Sequence, residues 1–336
     1  MKAITYTTNG GPEVLTLTER PVPEPGPGEV RVRVEVSGVN PTDWKSREGT
    51  PPVGEQVPNQ DGSGVIDAVA EGVPAERVGQ RVWLFESAHQ RSQGTAQEYT
   101  TVPSRQAVEL PEEASFDLGA SLGVPALTAH RALTVADGGP DRLAPGALAG
   151  RTVLVAGGAG AVGNAAVQLA RWAGATVVAT VSSPEKGELA TAAGAHHVVD
   201  YRHQDAAAEI RTIAPEGVHI VVEVAPAANA DLDAEVAANG AVIAFYANDQ
   251  GTLTAPIRPS MAANLRWQGL LLYTCPVAAK DLAVAAVGEA LAAGALRGGA
   301  EAGLPYHRFP LERTAEAHQA VREGAVGKVL IDVHAS

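Results

Sequence analysis

Hydrophobic and polar positions alternate strictly through VRVRVEVSGV at residues 30–39, which predicts a half-buried strand. DGSGVIDAVAEGV and QRVWLFES continue that style, punctuated by turns at GGPEV and PVPEPGPGE, so residues 1–120 read as a β-rich domain. The pattern changes near residue 121. Short apolar runs then recur between alanine-rich helical stretches: TVLVA (152–156), TVVATV (176–181), HIVVEV (219–224), AVIAFY (241–246) and WQGLLLY (267–273). Strand and helix in this alternation predict a doubly wound parallel sheet over 121–270. Residues 136–150, rich in glycine and proline, read as an exposed loop before its first strand. A helix near 279–293, the segment LPYHRFPLE, a helix from about Thr314 and a closing strand GKVLIDV lack that rhythm. Residues 271–336 are therefore expected to return to the first domain, which makes the parallel-sheet domain an insertion.

The first parallel strand runs into a glycine turn. After TVLVA come Gly157 and Gly158, then Gly160 and Gly163, and from Asn164 the spacing is helical, with Val167 and Leu169 to Ala170 facing inward. Gly158, Gly160 and Gly163 match G-x-G-x-x-G between a strand and a helix, the setting in which that motif holds a dinucleotide pyrophosphate. Gly158 is expected to allow the tight turn, Gly160 to let the backbone approach the pyrophosphate, and Gly163 to let helix and strand pack closely. Residues Gly158, Ala159, Gly160, Ala161, Val162 and Gly163 thus form the candidate cradle, with helix N–H groups facing the anion. Purely steric use of such a glycine turn is the alternative.

Composition narrows the partners. The 336 residues suffice for two domains, and 45% hydrophobic content is that of a globular chain. With 25 basic and 38 acidic residues the net charge is −13, which disfavours nucleic acid and anionic membranes. No signal-like segment or long apolar run stands in the sequence, so a cytoplasmic location is expected. Cys275 is the sole cysteine, which excludes an internal disulfide and a cysteine-rich zinc knuckle. Its apolar flanks LLLYTCPV suggest a buried, inert thiol. His196, His197 and His203 cluster without a carboxylate at ligand spacing, and His130 reads as packing. No metal site is expected.

SGVNPTDWK, DGSGVIDAVAEGV, GTAQEYTTVP, GVPALTAHRAL, AGGAGAVGNAAVQLARWAGA, SSPEKGELA and GKVLI, in this order, closely resemble the medium-chain dehydrogenase/reductases, and among them the quinone oxidoreductases of the zeta-crystallin branch. The resemblance implies an α/β chain: a GroES-like β-rich catalytic domain plus an inserted Rossmann doubly wound parallel sheet, an active site in the cleft between them, and usually dimers or tetramers. Zinc alcohol dehydrogenases share that body. Where they carry a ligand cysteine this chain has Ser37-Gly38-Val39-Asn40, and where they carry a ligand histidine it has Asn59-Gln60-Asp61. Neither position supplies the Cys or His a catalytic zinc needs. Alcohol oxidation then loses its Lewis acid, whereas reduction of a quinone or an α,β-unsaturated carbonyl does not require one.

The resemblance places Asn40, Asp43 and Lys45 near the nicotinamide. Asn40 and Lys45 would bind the substrate carbonyl or the nicotinamide ribose and stabilise the anion formed on reduction. The other reading makes Asp43 a helix cap and Lys45 a solvated neighbour. Asp61 reads as a structural hydrogen-bonder. The resemblance also assigns Thr128 to the cofactor amide, Tyr201 to the adenosine phosphate and Lys328 to the cofactor phosphates.

In an NAD site an acidic residue about 20 positions beyond the first glycine takes the ribose 2′-hydroxyl. Val178 occupies that distance here, and the strand ends in Ser182-Ser183-Pro184-Glu185-Lys186. Ser182, Ser183 and Lys186 suit a 2′-phosphate, with no repelling carboxylate expected close by, so NADPH is the expected cofactor; a plain helix-start lysine is the alternative. Asn229 and the stretch Phe245, Tyr246, Ala247 and Asn248 fall at the carboxyl ends of strands, where ligands of open α/β sheets bind. Leu270, Leu271 and Leu272 would pass the nicotinamide carboxamide, or form a dimer edge, or both. The expected activity is NADPH-dependent reduction of a quinone or other electron-poor enone, with water or Tyr246 as proton source. An enoyl or enone reductase of a biosynthetic pathway and a nucleotide-bound, crystallin-like binding protein are the alternatives. The edge strand WQGLLLYT predicts a homodimer, with a tetramer also open.

Overall fold

The alternation at 30–39 becomes a long strand in which Val30, Val32, Val34 and Val36 are buried and the positions between them only partly so. The computed structural model describes residues 1–248 and 251–334. In chain order its first strands are β1 (Lys2–Thr5), β2 (Thr16–Glu19), β3 (Glu29–Val39), β4 (Asp61–Val69), β5 (Arg81–Leu84), β6 (Tyr99–Pro103) and β7 (Ala107–Glu109), with helices α1 (Pro41–Gly49), α2 (Phe116–Gly119) and α3 (Gly123–Leu133). The parallel strands β8 (Thr152–Ala156), β9 (Thr176–Val181), β10 (His197–Asp200), β11 (Val218–Glu223), β12 (Ala237–Phe245) and β13 (Arg266–Gly269) come next. Between and after them lie α4 (Ala161–Trp172), α5 (Pro184–Ala193), α6 (Ala206–Ile213), α7 (Pro226–Val236), α8 (Ile257–Ala262) and α9 (Val277–Ala292). The chain closes with β14 (Tyr306–Pro310), α10 (Thr314–Arg322) and β15 (Lys328–Asp332).

The chain divides into two compact units. The first joins Met1–Val124 to the stretch from Pro305. Its larger sheet runs β14-β15-β3-β4-β5-β7, with β6 also on β3. The pairing Val329↔Val39 through Asp332↔Val36 stitches the C-terminal strand to β3 within the first unit. The second unit, Pro125–Leu304, carries an all-parallel sheet in the order β10-β9-β8-β11-β12-β13. Counted from β8 this is 3-2-1-4-5-6, the dinucleotide-binding order, and it reverses direction between β8 and β11. Its core includes Leu154, Val178, Val199, Val221 and Ile243, each within 1% of full burial. Side chains of this size contribute about 1.5–3 kcal/mol apiece when buried.

The boundaries differ from the sequence reading in instructive ways. Residues 271–304 lie with the second unit, because Asn164 donates to the Ala302 carbonyl at 2.8 Å and Gln168 exchanges hydrogen bonds with the Arg297 backbone at 2.9 and 3.1 Å. Periodicity shows that α9 has a buried face but not which sheet it covers. WQGLLLY is not one strand. Its ladder ends at Gly269, Leu271 is exposed, and Leu272–Thr274 form a single 3-10 turn. The 136–150 loop is anchored by the fully buried Leu143 and by Leu148 rather than lying free on the surface. Cys275 is half-buried, its thiol 3.5 Å from the Leu271 carbonyl, not sealed in a core. Among the described residues no helix is long and apolar enough to cross a membrane.

Candidate active site

The glycine turn sits at the carboxyl end of β8. Gly157 alone in the turn takes a left-handed φ of 70°, so the tight turn rests on it and not on Gly158 as the motif suggests. Gly158 is needed for packing: a Cβ there would stand 2.8 Å from the Ala179 side chain. A Cβ on Gly163 would meet the Gly157 carbonyl oxygen at 2.3 Å. Gly160, the N-cap of α4, is different. Its backbone is ordinary and extended, and the nearest atom to an added Cβ is 3.5 Å away. Nothing in the fold requires glycine at 160, which leaves a bare stretch of backbone at a helix N-terminus. The helix itself begins at Ala161, three residues before the spacing suggests, because the motif's last turn is already helical.

Neighbouring strand ends complete this edge. Gly157 and Gly158 donate to the Thr180 carbonyl at 3.1 and 3.2 Å, which ties the turn to the end of β9. There Ser183 caps α5, accepting from the Lys186 N–H, and the Lys186 ammonium donates to Ser182 Oγ at 2.9 Å. Tyr201 is half-exposed and donates its backbone N–H to the Val181 carbonyl at 3.1 Å, so it lies beside this loop. The structure thus brings Ser182, Ser183, Lys186 and Tyr201 together. It also corrects one expectation, since a carboxylate does stand there: Glu185 is hydrogen-bonded to Ser183, which holds its carboxyl below the usual range.

Further along the same edge, Tyr246 donates its N–H to the Glu223 carbonyl at 3.1 Å and Leu270 donates to the Phe245 carbonyl at 2.8 Å. Asn229 is already committed, its amide 3.1 and 3.2 Å from the Glu223 carboxylate, which also accepts from the Ala225 N–H. Glu223 and Asp233 form a buried carboxyl pair that pattern reading missed. Burial raises both, and the facing Glu223 charge pushes Asp233 well above the carboxylate range, so the pair keeps a proton. The signal available was an acid beside Ala230 and Ala234 on the inward side of α7. Burial and the same Glu223 charge raise the Tyr246 hydroxyl, making it a reluctant acid. Thr128 is buried on α3; Ala247 follows Tyr246 half-buried, and Leu272 is buried beyond the exposed Leu271.

The first unit holds a separate buried polar cluster. Asn40 donates to the Asp61 carboxylate at 2.8 Å and accepts from the Lys328 ammonium at 2.7 Å; Lys328 is 3.4 Å from Asp61. Asp61 also accepts the Val124 N–H at 2.9 and 3.0 Å. Asp43 takes the Asn40 N–H at 2.7 Å and the Gln60 N–H at 3.0 Å, so it is the helix cap of the second sequence reading. Burial and the Asp61 charge push Asp43 up to about 7, against the two N–H groups and Lys328. Asp61 is raised by burial, with Lys328 pulling it down; Lys328 is lowered by burial, with Asp61 and Asp43 pulling it up.

Lys328 is only 2% exposed, so the structure spends its charge on Asn40 and Asp61 rather than presenting it to cofactor phosphates. Asn40 keeps one amide N–H beyond its bond to Asp61. Lys45 is not part of the cluster: it is exposed on α1, its ammonium 5.6 Å from the centre of the Trp44 ring. At the positions where zinc alcohol dehydrogenases keep ligands, this chain offers the amides of Asn40 and Gln60 and a carboxylate already paired with an ammonium. That set does not fit zinc. Among the described residues no group of three or more His, Cys, Asp or Glu is arranged for a metal ion.

A β-rich unit with this amide–ammonium–carboxylate cluster, and a doubly wound unit with an open glycine cradle, define an oxidoreductase of the medium-chain dehydrogenase/reductase class. Residues 26–112 match the alcohol dehydrogenase GroES-like domain, and residues 161–288 match the zinc-binding dehydrogenase family. The chain is 30% identical to human quinone oxidoreductase over 338 residues, covering 98% of this chain and 97% of that one. It belongs to the quinone oxidoreductase family. Among solved structures it is similar to an NAD-dependent alcohol dehydrogenase, at 30% identity and TM-score 0.85 over 99% of this chain and 100% of that one. It is also similar to a mycobacterial protein complexed with NADPH, at 28% identity and TM-score 0.81 over 98% and 99%.

Proposed function

We propose that the protein is a zinc-independent, NADPH-dependent reductase of quinones or other electron-poor α,β-unsaturated carbonyls. The observation that carries this reading is the Asn40–Lys328–Asp61 cluster, which offers hydrogen-bond donors where a Lewis acid would otherwise act. When bound, the reduced nicotinamide supplies hydride to an acceptor that needs no metal activation. The remaining Asn40 N–H, polarised through its carbonyl by Lys328, would stabilise the developing oxyanion. Burial and the Glu223 charge make the Tyr246 hydroxyl a poor acid, which favours solvent as the proton source. NADPH oxidation measured with 1,4-benzoquinone, 9,10-phenanthrenequinone and simple enones, with and without a chelator, tests this. Quinone turnover indifferent to chelation is expected; zinc-dependent alcohol oxidation without quinone turnover would replace the reading, and enone turnover alone would favour the enoyl reductase alternative.

NADPH rather than NADH is supported by the Lys186–Ser182 pair and by the relative complexed with NADPH, while Glu185 and the NAD-dependent neighbour weigh on the other side. A charge-assisted bond contributes about 1.5–3 kcal/mol, less where exposed. Lys186→Ala should therefore weaken NADPH binding about tenfold and leave NADH nearly unchanged, as read by fluorescence titration. Equal weakening of both would make residues 182–186 a plain helix start.

The proposal extends to a cytoplasmic homodimer. Among the described residues strand β13 pairs only with β12, and Leu271 and Val277 close by are more than half exposed. An unpaired edge beside apolar side chains favours edge-to-edge joining. Sedimentation at micromolar concentration should give twice the chain mass, and a monomer there would refute it.

A further inference from the structure

A second buried array in the first unit adjoins that cluster through the backbone of Asp61. Arg47 Nη1 lies 2.9 Å from His318 Nδ1, and His318 Nε2 lies 2.8 Å from Asn59 Oδ1. Asn59 Nδ2 donates to Ser37 Oγ at 2.9 Å, Ser37 Oγ is 2.7 Å from Thr95 Oγ1, and Thr95 donates to the Asp61 carbonyl at 2.6 Å. All six residues are at least 99% buried.

The chain of bonds has one permitted direction. A guanidinium only donates, so Nδ1 of His318 must accept and its proton must sit on Nε2. Asn59 Oδ1 then accepts, which commits its amide nitrogen to Ser37. Thr95 spends its proton on the Asp61 carbonyl, so the Ser37 hydroxyl must point to Thr95. Reversing any link leaves two donors or two acceptors facing each other in a buried site, where an unmade bond is costly.

The array holds a residue in an uncommon backbone conformation. Asn59 has φ 79°, in the left-handed region that Asn enters more readily than other non-glycine residues but that still depends on its surroundings to be held. It directly precedes Gln60 and Asp61, whose contacts set Asp43 and Asn40.

We propose that His318 is a positioning residue for the reduction: as the neutral Nε2–H tautomer imposed by Arg47, it locks Asn59 in its left-handed conformation and so sets the Asp61 carboxylate that orients the Asn40 amide. This rests on the reading of Asn40 as the group that meets the substrate oxyanion. Burial, with the Arg47 charge, holds the imidazole down to about 3, so the neutral form persists throughout the working pH range.

Glutamine can reproduce the polarity, since Oε1 accepts from Arg47 while Nε2 donates to Asn59; leucine cannot. His318→Gln and His318→Leu are compared at a temperature where circular dichroism shows both folded, reading kcat and KM with NADPH and quinone and amide hydrogen exchange across residues 59–61. His318→Gln should stay within threefold of the wild-type kcat. His318→Leu should lose kcat 10- to 100-fold with KM for NADPH within threefold, and exchange at 59–61 should rise at least tenfold. If His318→Leu does not fold, Asn59→Gly replaces it, because glycine adopts the same φ without strain but lacks both side-chain bonds; a tenfold loss of kcat is expected. Wild-type kcat in His318→Leu or Asn59→Gly, unchanged exchange, or equal impairment in His318→Gln overturns the assignment. If the wild type reduces no quinone, the functional reading fails separately, and the exchange comparison alone decides whether His318 holds the segment.

Discussion

Gly160→Val is expected to abolish binding of NADPH and NADH alike while the protein stays folded. The pyrophosphate must approach the backbone at 160 if the turn is a cradle, and valine would place three carbons in that approach. The fold itself has room. Gly160 has φ −79° and ψ 163°, allowed for any residue, and an added Cβ comes no nearer than 3.5 Å to the Gly157 carbonyl. The cost to the helix is that of a poor N-cap, about 1 kcal/mol. Gly163→Ala is the contrast, since its Cβ would stand 2.3 Å from the Gly157 carbonyl oxygen. We expect Gly160→Val to keep its thermal midpoint within a few degrees and lose at least 100-fold in affinity, more than about 2.7 kcal/mol. Gly163→Ala should lose the midpoint instead. Undiminished dinucleotide binding by Gly160→Val would mean that the glycine turn serves packing alone.

That contrast also shows what the sequence could and could not convey. G-x-G-x-x-G marks where the backbone is bare, but the three glycines are bare for different reasons, and only packing separates them: Ala179 against Gly158, the Gly157 carbonyl against Gly163, and open space at Gly160. The apolar runs of the parallel sheet were legible because each is buried, as at Val153 to Val155 and Ile220 to Val222. What failed was long-range. Nothing local in the alanine-rich spacing of α9 tells that it packs on the second unit, and the lysine opening the last strand, which the resemblance assigns to the cofactor phosphates, is bonded to Asp61, 267 residues earlier, a partner that nothing local reveals. Arg47 and Asn59 are likewise separated from His318 by 271 and 259 residues, and each alone is an ordinary polar side chain. Glu185 is plain in the sequence, but its bond to Ser183 is a matter of side-chain direction, which spacing does not specify.

Lys328→Met is expected to destabilise the first unit strongly, and more at pH 8 than at pH 5. Removing the ammonium leaves Asp61 and Asp43 buried without their cation, and breaking a buried pair from one side costs about 3–5 kcal/mol. For a unit of this size that corresponds to a fall of roughly 6–20 °C in its thermal midpoint. The pH dependence follows from the direction of the shifts. Both carboxyls already lie above their ordinary 3.8 in the folded protein, Asp43 at about 7, and loss of Lys328 removes a group that pulls each of them down. A carboxyl raised on folding keeps a proton that the unfolded chain has released, so its contribution is complete below about pH 3.8 and is lost as pH rises through the folded value. The variant should thus fall furthest behind the wild type above about pH 7, the folded value of Asp43. Lys328→Met combined with Asp61→Asn should recover part of the loss, because the second change removes the stranded charge while leaving an oxygen to accept the Val124 N–H. A Lys328→Met midpoint within about 2 °C of wild type at both pH values, together with weakened NADPH binding, would show that the ammonium reaches the cofactor phosphates instead of holding Asn40 and Asp61.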